Sequence, residues 1–129
     1  MSVKLIKEGG KKLKIKLTVG QDEYTATMGD SKAAKDFLAL LPMTLTLEDY
    51  AGTEKISDLP TRLSAIGSPD GTVASIGDIT YYNPWGNLAI FYRDFGYAKG
   101  LIKLGKFESG IEKLAHIQGN FTVKIERIY

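Results

Sequence analysis

The side chains that could perform chemistry are sparse in this chain of 129 residues. Cysteine is absent, which excludes a disulfide framework, a thiol nucleophile and a cysteine-ligated zinc. His116 is the only histidine, so it has no second histidine for chelation, and we expect it to pack or hydrogen-bond at the end of a short helix. The carboxylates of Glu48, Asp49 and Glu54 do not follow the spacing of a calcium loop or a metalloprotease. We therefore predict neither a cofactor nor a metal site.

A second group of residues is better suited to binding than to catalysis. Aromatic residues are concentrated between positions 81 and 97, where the chain carries Tyr81, Tyr82, Trp85, Phe91, Tyr92, Phe95 and Tyr97. Because successive strand residues point to opposite faces of a sheet, about half of these rings should enter the core and the others should stay exposed. Exposed rings near Arg93 could line a groove that holds a ligand by stacking, apolar burial and guanidinium hydrogen bonds.

The charge pattern does not indicate a polyanionic or membrane partner. Net charge is only +2, although six lysines fall among the first sixteen residues, namely Lys4, Lys7, Lys11, Lys12, Lys14 and Lys16. From position 13 to 17 lysines alternate with apolar residues, which predicts a strand with one solvated face and no nucleic-acid site. Charges also interrupt the apolar residues at the N-terminus, and no apolar run approaches the roughly 20 residues of a membrane span. We expect a cytoplasmic protein.

The elements that must position these residues are mostly strands. Period-two alternation and turn residues predict strands at 13–19, 24–28, 43–47, 54–57, 72–76, 78–82, 88–92, 101–107 and 121–128. A helix should follow an N-cap at Asp30 or Ser31 and end before Pro42. A second, short helix should begin with a capping box from Ser109 to Glu112. A type I turn is predicted from Asn83 to Gly86.

These elements predict a mostly β protein of one domain, spanning residues 1–129. About eight strands and two helices without regular strand–helix alternation favour a closed or partly closed antiparallel β-barrel, because closure removes unpaired strand edges. Residues 48–70 contain two glycines and two prolines and show only one short strand-like run. We interpret this stretch as a long excursion over the barrel surface, where a rigid scaffold could support binding residues.

Several segments resemble, in order and spacing, the small cyclophilin-like domains of bacteria and archaea. The matching segments cover nearly the whole chain beyond residue 13 and are residues 25–42, 52–60, 77–82, 88–92 and 102–107. The resemblance implies a cyclophilin-type barrel. True cyclophilins catalyse proline cis/trans isomerisation with an arginine, a glutamine and several aromatic residues around the substrate. No such motif is found between residues 50 and 75 here, where Arg62 has no aromatic residue beside it in the sequence.

We therefore hypothesise a noncatalytic domain that binds a peptide or a small molecule in a groove between residues 48–70 and 88–97. One alternative is a weak prolyl isomerase in which Arg62 or Arg93 replaces the missing arginine. Another is a structural subunit of a homo-oligomer, with exposed aromatic residues at the interface. The candidate groove residues are Glu54, Lys55, Arg62, Tyr82, Tyr92, Arg93 and Phe95.

Overall fold

Residues with alternating polarity form most of the strands in the computed structural model, which describes residues 13–128. Its strands are β1 (Lys14–Val19), β2 (Asp22–Met28), β3 (Met43–Tyr50), β4 (Glu54–Asp58), β5 (Gly71–Ala74), β6 (Asp78–Tyr82), β7 (Asn87–Phe91), β8 (Gly96–Lys99), β9 (Leu101–Phe107) and β10 (Phe121–Ile128). Its helices are α1 (Lys32–Ala39) and α2 (Ile111–Ala115). Neither helix is long and apolar enough to cross a membrane.

Eight of the strands close into an antiparallel barrel, which confirms the predicted fold class. Their order around the barrel is β1, β10, β3, β4, β7, β6, β9 and β2, with β2 pairing back to β1. Strands β5 and β8 pair only with each other and form a separate two-stranded ribbon. Each barrel strand therefore has hydrogen-bonded neighbours on both sides, and no barrel edge is left open.

The barrel interior is the main core. Ile15 and Leu17 of β1 are fully buried in it, whereas Lys14 and Lys16 lie on the other face, as the alternating pattern predicts. The other four N-terminal lysines, Lys4, Lys7, Lys11 and Lys12, lie outside the described residues. Helix α1 packs its buried side chains onto this core. Its N-cap is Ser31, whose Oγ accepts a hydrogen bond from the backbone N–H of Ala34 at 3.1 Å.

A second, smaller apolar cluster lies on the outer face of the barrel. Leu88 and Ile90 of β7 point into the main core, while Ala89 and Phe91 point outward and contact Leu101. Both faces of β7 are buried, because the β5–β8 ribbon folds over the outer face. This double burial explains why β7 is a continuous apolar run after Asn87.

The structure corrects the prediction at two strands. Residues 48–50 are not part of a surface excursion, because Glu48 pairs with Ile56 and β3 therefore continues to Tyr50. Residues 96–99 lie between the strands predicted at 88–92 and 101–107, yet they form β8, where Tyr97 pairs with Val73 of β5. Strand β8 depends on this long-range partner. It begins with Gly96 and is followed by Gly100, and these two glycines favour a loop in the sequence pattern.

Two local predictions differ in detail from the structure. Residues 83–86 form the turn between β6 and β7, as predicted, but the carbonyl that accepts from Trp85 and Gly86 belongs to Tyr82 and not to Asn83. The N–H of Asn83 donates to the carbonyl of Gly100. The predicted capping box is not formed, since Gly110 is the N-cap of α2, with no side-chain cap hydrogen bond and a φ of 87°. A Cβ on this glycine would lie 2.7 Å from the Tyr24 ring, so tertiary packing determines this helix start.

Candidate functional site

Strand pairing places two rows of side chains side by side on the outer face of the barrel. In one row Tyr50 of β3 is opposite Glu54 of β4, and Glu54 is opposite Phe91 of β7. Residues directly opposite each other in a sheet project from the same face, so these three side chains lie together. In the second row Leu101, Tyr82 and Asn87 are successive partners across β9, β6 and β7.

A cavity of about 310 Å³ lies over these rows, between the barrel and the β5–β8 ribbon. The lining residues come from the two rows, from Ile56 between them, and from the ribbon and loops that cover them: Tyr50, Glu54, Ile56, Tyr82, Trp85, Asn87, Phe91, Phe95, Ala98, Lys99 and Leu101. This volume is at the small end of the range for ligand pockets, about 300–1,000 Å³. It would hold one side chain or one small ring.

Aromatic rings form most of the wall. Trp85, which is 59% exposed, contacts Tyr82 with ring centroids 5.3 Å apart and Tyr50 with centroids 5.8 Å apart. Both ring pairs are nearly perpendicular, at 83° and 84° respectively. On the other side Phe95, 55% exposed, contacts Phe91 at 5.9 Å. Trp85 and Phe95 thus keep large apolar surface in water around one cavity, and apolar residues grouped in this way, unlike single ones, mark a candidate binding surface.

Arg62 holds the turn that carries Trp85. Its guanidinium donates to the backbone carbonyl of Asn83 at 2.8 Å, to that of Pro84 at 3.4 Å and to the Tyr81 hydroxyl at 3.4 Å. A planar guanidinium that binds successive carbonyls limits the movement of the turn. Arg62 therefore positions one wall of the cavity without lining it.

Glu54 is the acidic group of the cavity. Burial raises the pKa of its carboxyl from 4.5 to about 7, and the nearby negative charge of Asp49 adds to this rise. Among residues 13–128 no cation lies within salt-bridge distance of Glu54, and no donor hydrogen-bonds to its carboxyl. The cavity thus contains a carboxyl group that is about half ionised near neutral pH.

Two further polar groups reach the cavity. Asn87 is 3% exposed, and its Oδ1 has no hydrogen-bond partner among the described residues, while its Nδ2 donates to Leu88. A buried acceptor without a donor costs free energy. Lys99 is exposed at the ribbon side. Residues 13–128 bring no three acidic or histidine side chains together as a metal site requires.

A match to a known family agrees with this architecture. Residues 17–126 match the model of the Cyclophilin-like family, which is most of the chain. The chain belongs to the Cyclophilin-like family. No curated protein matches it. The cyclophilin-like chain also resembles the solution structure of the hypothetical protein AF2241 from Archaeoglobus fulgidus, with a TM-score of 0.67 over 93% of this chain and 99% of that chain. At 15% identity the likeness concerns the fold alone.

The cyclophilin-like domain brings only three of the predicted groove residues to the cavity. These are Glu54, Tyr82 and Phe95. Arg62 lies behind the turn that carries Trp85, as described above. Arg93 is exposed and does not line the cavity.

Lys55 and Tyr92 lie on the opposite face of the sheet from Glu54. Lys55 is 2% exposed, and its Nζ donates to the carbonyl of Ile117 at 3.0 Å and lies 3.5 Å from Asp49 Oδ1. The Nζ also lies 5.4 Å from the centre of the Tyr92 ring, and the Tyr92 hydroxyl donates to Asp49. These contacts join β3, β4 and the residue after β7 on the face opposite the cavity, where the Asp49 side chain is 43% exposed.

The pKa values of this cluster follow from its contacts. The hydrogen bond from Tyr92 holds the pKa of Asp49 below its ordinary value, with smaller contributions from Gly52 and Lys55. Burial raises the pKa of Tyr92 to about 12, and the bond to Asp49 adds to this rise. At neutral pH the cluster therefore contains an ionised Asp49 and a protonated Tyr92 hydroxyl.

The predicted groove residues omit four that line the cavity, namely Tyr50, Trp85, Asn87 and Lys99. Two of these had a signal in the sequence. Trp85 lies in the aromatic-rich segment 81–97, and Asn87 is four positions from Phe91, so a strand places Asn87 and Phe91 on one face. Glu54 and Lys55 are adjacent, so a strand separates them. Tyr50 and Lys99 had no local signal, because both depend on strand register.

Proposed function

We propose that this domain is a noncatalytic binding module, whose outer-face cavity takes an apolar group of a peptide or a small ligand. The observation that carries this proposal is the concave surface between the barrel and the ribbon, where Tyr50, Trp85 and Phe95 remain partly exposed. A mostly apolar cavity with a few polar groups is the usual form of a small-ligand site. Aromatic rings supply large contact area to a ligand at low cost in side-chain entropy.

The polar groups would orient such a ligand. Glu54 offers a carboxyl that can accept or donate, Lys99 offers donors at the edge, and Asn87 places an amide in the wall. Because these groups lie on different strands, they would contact different parts of a bound group. This arrangement favours recognition of a specific ligand over general apolar adhesion.

The isomerase alternative has less support. It requires an arginine beside the amide that rotates, yet the lining formed by the described residues contains none. Arg62 already donates to two backbone carbonyls, and Arg93 lies away from the cavity. The oligomer alternative is favoured by Val73 and Tyr97, which are exposed on the ribbon and could contact a second copy. A contact through these two residues would leave the cavity without a role.

The proposal can be tested by mapping ligands onto the cavity by NMR. Fragments and short peptides, including X-Pro peptides, are added to the isotope-labelled protein, and the chemical shifts of its backbone amides are recorded. Tryptophan fluorescence is recorded in parallel and reports on the cavity, because Trp85 is the only tryptophan. We expect binders to perturb the amides of Glu54 and Phe91. Absence of any cavity perturbation at about millimolar ligand would reject the binding module. Faster cis/trans exchange of an X-Pro peptide would reject the noncatalytic part.

A pair of neighbouring variants provides the control. Phe95→Ala removes a ring that lines the cavity, whereas Tyr97→Ala removes an exposed ring on β8 that does not line it. We expect Phe95→Ala to weaken binding by about tenfold, the usual range for losing an aromatic contact, and Tyr97→Ala to leave it unchanged. Equal losses in both variants would place the binding surface elsewhere.

A further inference from the structure

The corner of the cavity formed by Tyr50, Tyr82 and Trp85 is an aromatic box. Trp85 meets each tyrosine at nearly a right angle, and all three residues line the cavity. The box is held in place, because Tyr50 and Tyr82 belong to barrel strands and Arg62 fixes the turn that carries Trp85. Electron-rich ring faces around a common space attract cations, above all those that are weakly hydrated.

A carboxyl group without a counter-ion lies in the same cavity. Glu54 is directly opposite Tyr50 in the β3–β4 pairing, on the face that forms the cavity. Its strand neighbour Lys55 points to the barrel interior and is 3.5 Å from Asp49, so it does not neutralise Glu54. Of the described residues, Lys99 is the only basic one that lines the cavity, and it makes no salt bridge to Glu54. At a pH where Glu54 is ionised, the cavity therefore offers a cation a carboxylate that forms no salt bridge within residues 13–128.

From this geometry we infer that the Tyr50–Tyr82–Trp85 box, with Glu54 as counter-ion, binds the alkylammonium group of a ligand. The inference rests on the proposed binding function and specifies its ligand class. An alkylated ammonium fits better than a metal ion, because one carboxylate cannot replace the several oxygen ligands that a hard cation requires. It also fits better than a primary ammonium, whose stronger hydration costs more to remove in a cavity walled mostly by rings. Its methyl groups pack against the rings.

The decisive comparison uses choline and 3,3-dimethylbutan-1-ol, a neutral molecule of the same shape in which carbon replaces the charged nitrogen. Both are titrated at about pH 8, where Glu54 is ionised, with Trp85 fluorescence and NMR shifts as readouts. We expect choline to bind about tenfold more tightly than the neutral molecule. Glu54→Gln should remove most of this preference, whereas Glu108→Gln, outside the cavity, should retain it.

Lys99→Met provides a test with the opposite sign. Because Lys99 lines the cavity and carries a positive charge, its removal should increase the preference for choline over the neutral molecule about twofold. A peptide with trimethyl-lysine, compared with the same peptide carrying lysine, distinguishes a modified side chain from a free small molecule as the source of the group. Tighter binding of the trimethyl-lysine peptide than of the lysine peptide, or of choline than of its neutral counterpart, would support the inference.

Three outcomes would overturn the inference. Equal affinity for choline and its neutral counterpart would leave the binding module intact but reject a cation site. A choline preference that survives Glu54→Gln would reject Glu54 as counter-ion. If choline fails to perturb Trp85 while other fragments bind in the cavity, the ligand class is wrong and the proposed function stands. Failure of all ligands would reject both.

Discussion

Replacing Glu54 by glutamine should make the protein more stable relative to the parent as the pH rises. The folded pKa of Glu54 is raised from 4.5 to about 7, because burial and Asp49 disfavour the ionised carboxyl. Below pH 4.5 both the folded and the unfolded chain hold the proton. Between 4.5 and about 7 the unfolded chain loses its proton first, so ionisation increasingly favours unfolding. Above about 7 the penalty is complete, and glutamine avoids it.

The size of the effect follows from the difference between the two pKa values. Each tenfold change in proton affinity is worth about 1.4 kcal/mol, so a rise from 4.5 to about 7 sets an upper bound of about 3 kcal/mol. Glu54 is only half-buried, and water screens its charge. We therefore expect the free energy of unfolding of Glu54→Gln to gain about 1–2 kcal/mol on the parent between about pH 5 and about pH 8.

Urea unfolding of both proteins at these two pH values measures the effect, since the comparison cancels other titrating groups. Glu108→Gln is the matched control. Lys14 and Thr27 hold the pKa of Glu108 below its ordinary value, so this group is ionised in both states over the whole window. Its substitution should shift stability equally at both pH values. A constant difference for Glu54→Gln would refute the raised pKa. If the parent instead became more stable than Glu54→Gln as the pH rises, the ionised Glu54 would have a counter-ion, and Lys99 would be the candidate.

Three other substitutions test the supports of the site. Lys55→Met should lower the free energy of unfolding, measured in urea, by about 1–3 kcal/mol, because the carbonyl of Ile117 loses its donor. Ligand binding in the outer cavity should be retained. Loss of binding would contradict the placement of Lys55 on the opposite face. Arg62→Ala should increase the mobility of Trp85, measured as lower fluorescence anisotropy, whereas an unchanged value would show that the turn needs no guanidinium. Gly100→Ala should lower the free energy of unfolding by about 2 kcal/mol, and with it the melting temperature by several degrees. The reason is that φ is 86° and a Cβ would lie 2.8 Å from the Pro84 ring. An unchanged melting temperature would contradict this packing.

The strands and the first helix could be predicted because their signals are local. Residues 101–107 and 121–128 form strands with the predicted bounds, and Ser31 caps α1 as predicted. Alternation of apolar and polar residues reports which face of a strand is buried, whatever its partner. The prediction for His116 also depended on local structure, and its Nδ1 lies 2.7 Å from the carbonyl of Glu112 at the end of α2. Such features involve residues only a few positions apart.

The candidate site depended on contacts between distant residues. Nothing near Tyr50 in the sequence indicates that it faces Glu54 and Phe91, because this row exists only once β3, β4 and β7 adopt their register. A shift of one residue in that register would move every side chain of a strand to the opposite face. The prediction therefore placed Lys55 at the groove, although it lies in the barrel interior.

By itself, the sequence determined a mostly β fold and its barrel, because composition and periodicity record how much surface each segment must bury. Its matching segments also showed the resemblance to the cyclophilin-like domains. Only the tertiary structure decided where the cavity lies and what lines it. Strand β8 forms because β5 pairs with it, and the resulting ribbon covers the outer face of β7 and leaves the cavity beside it. The physical reason is that burial is a property of one segment, whereas a concave site requires a particular arrangement of several segments.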